Sequence, residues 1–569
     1  MKRFRPVMTA AFLVLPSMAV EAAPPTPTVL PGPADINRIA PDQTATPTPS
    51  AHAGSITLPP QGAAGTPAPK NAKNIHFVLH TVTFEHVTVF TPADLKELYA
   101  PYIDKKVSLD VAWQIADALT AKYRKAGYFL SRAYVPAQEV SGGTLIIRAV
   151  EGGIGSVTLT GAPVPDSFII RQSIATLTAE KPARLQTLER QLLLLNDIPG
   201  YAFQAVLAPA DKTNGDEARL VLAVSKTAGV TTLSANNSGS RYIGPYEVSA
   251  DWTGSLIPME QTDLSITDAP TFSDSEGRFS TLNATQKITL TPATVVDITA
   301  GYSDAVPGYT LKPDNVKSEA DNGGIGVSYR LIRERLENLT TRLDIDFRNS
   351  ATDLLGSILS RDHIRAAQWG VNYDTADPWS GHDYLDVELR HGLPIFNSSR
   401  ASDVDLSRPD VHPDFTKLQV NYTRLQSLTP DWSSLFVFSG QKASGALYAS
   451  EEFGYGGTAI GRAYDPSEIS GDNGASGSVE LHYQSLPQWH QATVTPYAFY
   501  DIGKVWNLYP SVPSRQSGAS AGPGLSIQGI SGFSANFYVA EPLTKAITTP
   551  LYSGSGRTPR YAFQISQKF

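Results

Sequence analysis

The 569 residues carry 46 basic and 54 acidic side chains, a net charge of −8, with no basic stripe of the kind that binds nucleic acid. Cysteine is absent, which excludes disulfides, thiolate metal sites, a cysteine nucleophile and a lipidated cysteine anchor. No stretch beyond the amino terminus approaches twenty uninterrupted apolar residues, so a membrane-spanning form of this chain is a β-barrel.

Lys2, Arg3 and Arg5 precede an apolar run from Val7 to Val20, and Val20-Glu-Ala22 offers a small residue for cleavage. Residues 1–22 therefore read as a secretory signal peptide. Residues 23–72 are rich in Pro, Ala, Thr and Gly and hold too little apolar surface to offset ordering entropy, so a flexible linker is expected. A short helix over Ala34-Asp-Ile-Asn-Arg-Ile39 is the alternative there, and whether it plugs a barrel is left open by the sequence.

From residue 73 the pattern becomes α+β. A strand is expected over Ile75 to Val82, and Thr91-Pro-Ala-Asp94 opens a helix with a capping hydroxyl and a proline in the first turn. Ser108 is expected to cap a second helix, with Val111, Ile115 and Leu119 as its buried stripe and Gly127 as its end. Strands over Phe129 to Val135 and Thr144 to Val150 follow. The same order recurs: a strand over Ile154 to Thr160, helices over Asp166 to Thr178 and Arg184 to Leu195, and strands over Tyr201 to Leu207 and Ala218 to Val224. Two β-α-α-β-β modules, 73–152 and 153–226, are the reading.

Tyr123-Arg-Lys-Ala-Gly-Tyr128, Ser131-Arg-Ala-Tyr-Val-Pro136 with Gln138, and Val150-Glu-Gly152 resemble the first POTRA module of two-partner secretion transporters. Leu188-Glu-Arg-Gln-Leu-Leu-Leu-Leu-Asn-Asp-Ile-Pro-Gly200 resembles the second. The resemblance implies a bacterial outer-membrane transporter with its modules in the periplasm. It would export one large, β-helical exoprotein of adhesin or haemolysin type. The modules would capture it by strand addition, with 201–208 or 216–225 offering the edge.

Over 227–569 helical periodicity vanishes. Tyr246, Val248, Ala250 and Trp252 alternate with Glu247, Ser249, Asp251 and Thr253, and Leu343, Ile345 and Phe347 alternate with Asp344, Asp346 and Arg348. Sixteen such segments predict an antiparallel transmembrane barrel. Short turns at 291–294, 333–338, 485–491 and 530–531 are expected at one rim, and long loops at 304–323, 349–365, 392–414, 442–474 and 541–559 at the other. The closing strand places Tyr561, Phe563, Ile565 and Phe569 on one face, interrupted by Gln567, and Ala562, Gln564, Ser566 and Lys568 on the other. These aromatic and apolar residues are expected to serve as the signal read by the barrel-assembly machinery and then to face outer-membrane lipid.

Transporters of this superfamily carry a Val-Arg-Gly-aromatic motif at the tip of the sixth long loop and Phe-x-Asp-x-Gly on the inner wall. This chain has Ile460-Gly-Arg462-Ala-Tyr464 and Phe499-Tyr-Asp501-Ile-Gly503. An ionised aspartate disfavours lipid, so Asp501 is expected to point inward and meet Arg462 from an infolded loop. The resemblance makes Arg462, Tyr464, Phe499, Asp501 and Gly503 a conformational lock. Ala463 stands where the family has glycine, and a positive φ there would be strained.

Gly518-Ala-Ser520-Ala-Gly522 fits a nucleophile pattern, but the residues that follow alternate as a strand and supply no helix, so no enzyme is expected. The ten histidines form no His-Glu-x-x-His array and no phosphate loop occurs, so neither metal nor cofactor is expected. The alternative is a barrel-assembly insertase of the same superfamily. Two modules rather than three to five favour secretion.

Overall fold

The computed structural model describes residues 30–39, 56–57, 68–140, 142–208, 217–272, 276–408, 410–488, 491–508, 513–547 and 556–569. The signal peptide expected at 1–22 lies outside the described residues. In the first module, Thr91 accepts from the Asp94 N–H (3.3 Å) while Asp94 accepts from the Thr91 N–H (2.9 Å), a capping box that starts helix 92–99. Val111, Ile115 and Leu119 of helix 111–125 are buried, and Gly127 ends it at φ +88°. Ser108 does not cap that helix. It closes an unforeseen strand, 105–108, paired with 76–79, and its hydroxyl bonds Asp110 instead. The strand expected over 75–82 is two, 76–79 and 81–85, broken at His80. Strand 144–150 runs between 81–85 and 132–134. Where 132–134 stops, Gln138 takes over its pairing: the side-chain amide donates to Ile146 O (2.7 Å) and accepts from Ile146 N (2.8 Å).

The second module has helices 168–179 and 185–196 over a sheet ordered 56–57, 201–208, 218–226, 154–161. This corrects two expectations. Strand 218–226 is central, so residues 216–225 offer no edge. The 201–208 edge is covered by Ile56 and Thr57, paired in parallel with Ala205 and Val206. The modules are tied together by Arg184, which donates to the Tyr128 hydroxyl (3.0 Å) and lies over its ring.

The expected sixteen strands close into one antiparallel barrel, the first (230–236) pairing with the sixteenth (560–568). Alternation separates its faces: Leu343, Ile345 and Phe347 are exposed on the outer wall, while inward Asp344 and Asp346 pair with Arg342 (3.5 Å) and Arg390 (2.6 Å). One expected loop is absent. Residues 349–365 continue as strands 337–354 and 357–376, joined by Leu355-Gly356 at φ +52° and +79°, a two-residue turn with both positions left-handed. Both strands exceed the roughly 9–11 residues needed to cross a membrane, so their polar upper ends stand above it, where neither face is apolar.

The second module sits against the periplasmic turns. Asp197 accepts from both arms of Arg333 (2.8 and 2.9 Å) and pairs with Arg330 (3.3 Å), and Met259 inserts into the module's apolar core. At the other end, residues 30–39 depart from the expected flexible tether. Leu30, Ala34, Ile36 and Ile39 are buried against Tyr242, Ile243, Phe279 and Leu311 in the extracellular mouth. Proline and polar residues hide this in composition, since only four apolar side chains anchor the stretch. Protease sites inserted at 310 and 400 are expected to be cut on intact cells, and sites at 335 and 488 spared. The reverse pattern would invert the barrel.

Candidate functional site

The thirteenth strand, 493–506, alternates so that Phe499, Asp501 and Gly503 point inward and are buried, while Ala498, Tyr500 and Ile502 face out. The sixth extracellular loop, 444–472, folds into the lumen, stiffened by a short hairpin of 453–455 with 469–471. Its tip reaches Asp501, which is fully buried. Arg462 donates to the carboxylate through Nε (3.1 Å), Nη2 (2.8 Å) and its backbone N–H (3.0 Å). Gly461 N–H (3.1 Å) and the Ser520 hydroxyl (3.1 Å) donate as well. The guanidinium also donates to Glu480 (2.6 Å) and Ser478 (2.7 Å) and lies 3.8 Å over the Phe499 ring. Charge-assisted bonds of this kind contribute about 1.5–3 kcal/mol each, so a bidentate, doubly shared arginine holds the loop firmly.

The structure thus brings Arg462, Phe499 and Asp501 into contact. Tyr464 lies beside them, its hydroxyl 3.0 Å from both Ala519 O and Lys545 O. Gly503 touches no charge; it makes room. A Cβ there would stand 2.1 Å from the Tyr455 ring, and one at Gly518 would stand 2.7 Å from it. Gly503→Val is therefore expected to push hairpin 453–455 off the wall and raise single-channel conductance in planar bilayers. Unchanged conductance would show that the ring has room elsewhere. The left-handed position at the tip is Gly461 (φ +86°), one residue before the arginine, and Ala463 is buried at negative φ. The alanine carries no backbone strain because the glycine has moved two places.

Tyr561, Phe563, Ile565 and Phe569 lie apart from this cluster, on the outer wall of the last strand. Ser520 sits within strand 515–528, its hydroxyl committed to Asp501.

Sequence reading missed the partners. Ser478 and Glu480 share the inward parity opposite Val479 and Leu481, a signal that was present. A second buried cluster gave none: Arg408 donates to Asp472 (2.6 Å) and pairs with Glu452 (3.0 Å), which also accepts from Arg38 of the amino-terminal segment (2.7 Å). In the first module, Glu151 accepts from Tyr123 (2.7 Å) and Thr88 N (2.8 Å) and from the Thr88 hydroxyl. Burial opposes its ionisation, but these donors hold the carboxyl below its ordinary range.

Residues 292–526 match the haemolysin secretion/activation protein family ShlB/FhaC/HecB, and residues 77–152 match the POTRA domain of ShlB type. The chain belongs to that secretion family. The transporter is 24% identical over 477 residues to the heme/hemopexin transporter protein HuxB of Haemophilus influenzae, covering 80% of this chain and 81% of that one. It is 23% identical over 500 residues to the outer membrane transporter CdiB of Escherichia coli, covering 86% and 82%. The solved structure of CdiB from Escherichia coli superposes with a TM-score of 0.70 at 21% identity over 94% of each chain. BamA from Haemophilus ducreyi, lacking its first three modules, superposes at 0.51 and 13% identity, covering 86% of this chain and 100% of that one, a likeness of fold. The transporter is an outer-membrane protein that secretes an exoprotein, with its modules in the periplasm.

Proposed function

We propose that the transporter exports one large β-helical exoprotein through its own lumen, and that Arg462 and Asp501 hold loop 6 as the lid. The reading is carried by the filled lumen: loop 6 and residues 30–39 occupy the extracellular half and share Glu452 through Arg38. No polypeptide passes until both move. The exoprotein is held as an added strand along 201–208, which requires displacing Ile56 and Thr57. Tyr561, Phe563, Ile565 and Phe569 are read by the assembly machinery during insertion and afterwards meet lipid. Deleting the gene should remove its exoprotein from the cell surface while other outer-membrane barrels keep their abundance. Loss of many barrels at once would favour an insertase instead.

A further inference from the structure

We infer that Arg560 is a second latch, coupling the resting position of loop 6 to the seam at which the barrel closes. Arg560 opens the sixteenth strand, points inward and is 5% exposed. Its Nη1 donates to Asp465 Oδ1 (2.9 Å) and to Tyr464 O (3.0 Å), both just past the tip of loop 6. Its Nη2 donates to the carbonyls of Asn237 (3.3 Å), Ser238 (3.0 Å) and Gly239 (2.9 Å), which follow the first strand. One side chain thus joins the last strand, the end of the first and the loop.

The seam needs such a brace. Its regular ladder runs over the five pairs from Thr232–Lys568 to Asn236–Gln564, extended by the two backbone bonds that Thr231 and Phe569 exchange, and is the shortest in the barrel among the described residues. Above it, the Asn237 side chain stands in for backbone: Nδ2 donates to Tyr561 O (2.8 Å) and Oδ1 accepts from Phe563 N (2.8 Å). Arg560 is the next contact upward. Asp465 is 1% exposed, so breaking the pair removes a charge-assisted contact in a buried site. Because the same guanidinium serves both, whatever frees the loop loosens the seam, and whatever loosens the seam frees the loop by the same factor. This coupling is separate from the Arg462–Asp501 contact, which touches neither end of the seam.

The test builds on the proposal that loop 6 is mobile, but needs no exported substrate, so its failure leaves the export reading standing. The chain lacks cysteine, and Ala463 is fully buried at rest. An Ala463→Cys background therefore reports departure of the loop tip by labelling with an impermeant maleimide on intact cells. Resistance of the folded barrel to heat in detergent, read as a gel shift, reports closure. Asp465→Asn keeps the fork to residues 237–239 and removes only the loop's charge. It is expected to raise labelling on the order of tenfold and to lower the shift temperature by about 5 °C. Arg560→Lys keeps a charge for Asp465 and loses the fork, and should move both readouts in the same directions. Oxidising a cysteine pair placed at Asn236 and Gln564 should restore both in the Arg560→Lys chain, where Asp465 is kept and only the seam has been loosened. Labelling that rises in Asp465→Asn with no change in heat resistance, or a staple that rescues closure alone, would overturn the coupling.

Discussion

Arg462→Ala and Asp501→Ala are each expected to cut export severely while the barrel still inserts, with the double variant little worse than Arg462→Ala alone. The geometry adds an order to this. Without Arg462, Asp501 and Glu480 face each other with no cation between them, and Asp501 is fully buried. Breaking a buried pair from one side costs about 3–5 kcal/mol. Without Asp501, the arginine keeps Glu480 and Ser478, so that variant should retain more export. Effects of groups that share one contact do not add. A double-mutant cycle on surface exoprotein, normalised to barrel abundance, measures the coupling. Additive losses would make the two residues independent and remove the lock.

Proline at the 201–208 edge is expected to abolish export with the second module still folded, at one of two successive positions. Along a strand the N–H groups alternate between the inner neighbour and the outer edge. Within Ala205 and Val206, the proline whose missing N–H faces the edge deprives the exoprotein of a donor, and its neighbour breaks the ladder to 218–226. Ile56→Pro should do the opposite and tighten binding of an extended exoprotein peptide to the isolated periplasmic region, since the edge no longer has to be vacated. Export that survives every edge proline in an inserted barrel would reduce the modules to supports for assembly.

The barrel was legible because lipid outside and water inside impose a period of two on every crossing segment. That signal fades where both faces meet water, which is why Asn349, Ser350, Thr352 and Asp353 read as a loop and are strand. Asp501 could be aimed inward from parity alone. Its partner had to come from a motif, since nothing local in residues 460–464 says that a loop enters a pore. Edge and centre in the second module were not legible at all. Strand order depends on which segments meet in space, and residues 56–57 join that sheet from far along the chain. Arg38, Arg408, Asp472 and Arg560 look like ordinary surface charges in sequence. They are identifiable only once three loops and the amino-terminal segment converge.

The two anchored pieces of the amino-terminal region also set a length. Ile39 is fixed in the extracellular mouth and Ile56 on the periplasmic module, with residues 40–55 between them. Extended chain covers about 3.3–3.6 Å per residue, so that connection reaches at most about 60 Å. If the exoprotein is held on the same edge, as proposed, it would face a distance of the same order. Every residue within that lead must stay unfolded and fit single file, and none of it can yet nucleate structure outside the cell. On that reading, pulling by external folding would begin only after a lead of up to this length had been fed in from the periplasm, so that the first stretch of export would be diffusive and the remainder a ratchet.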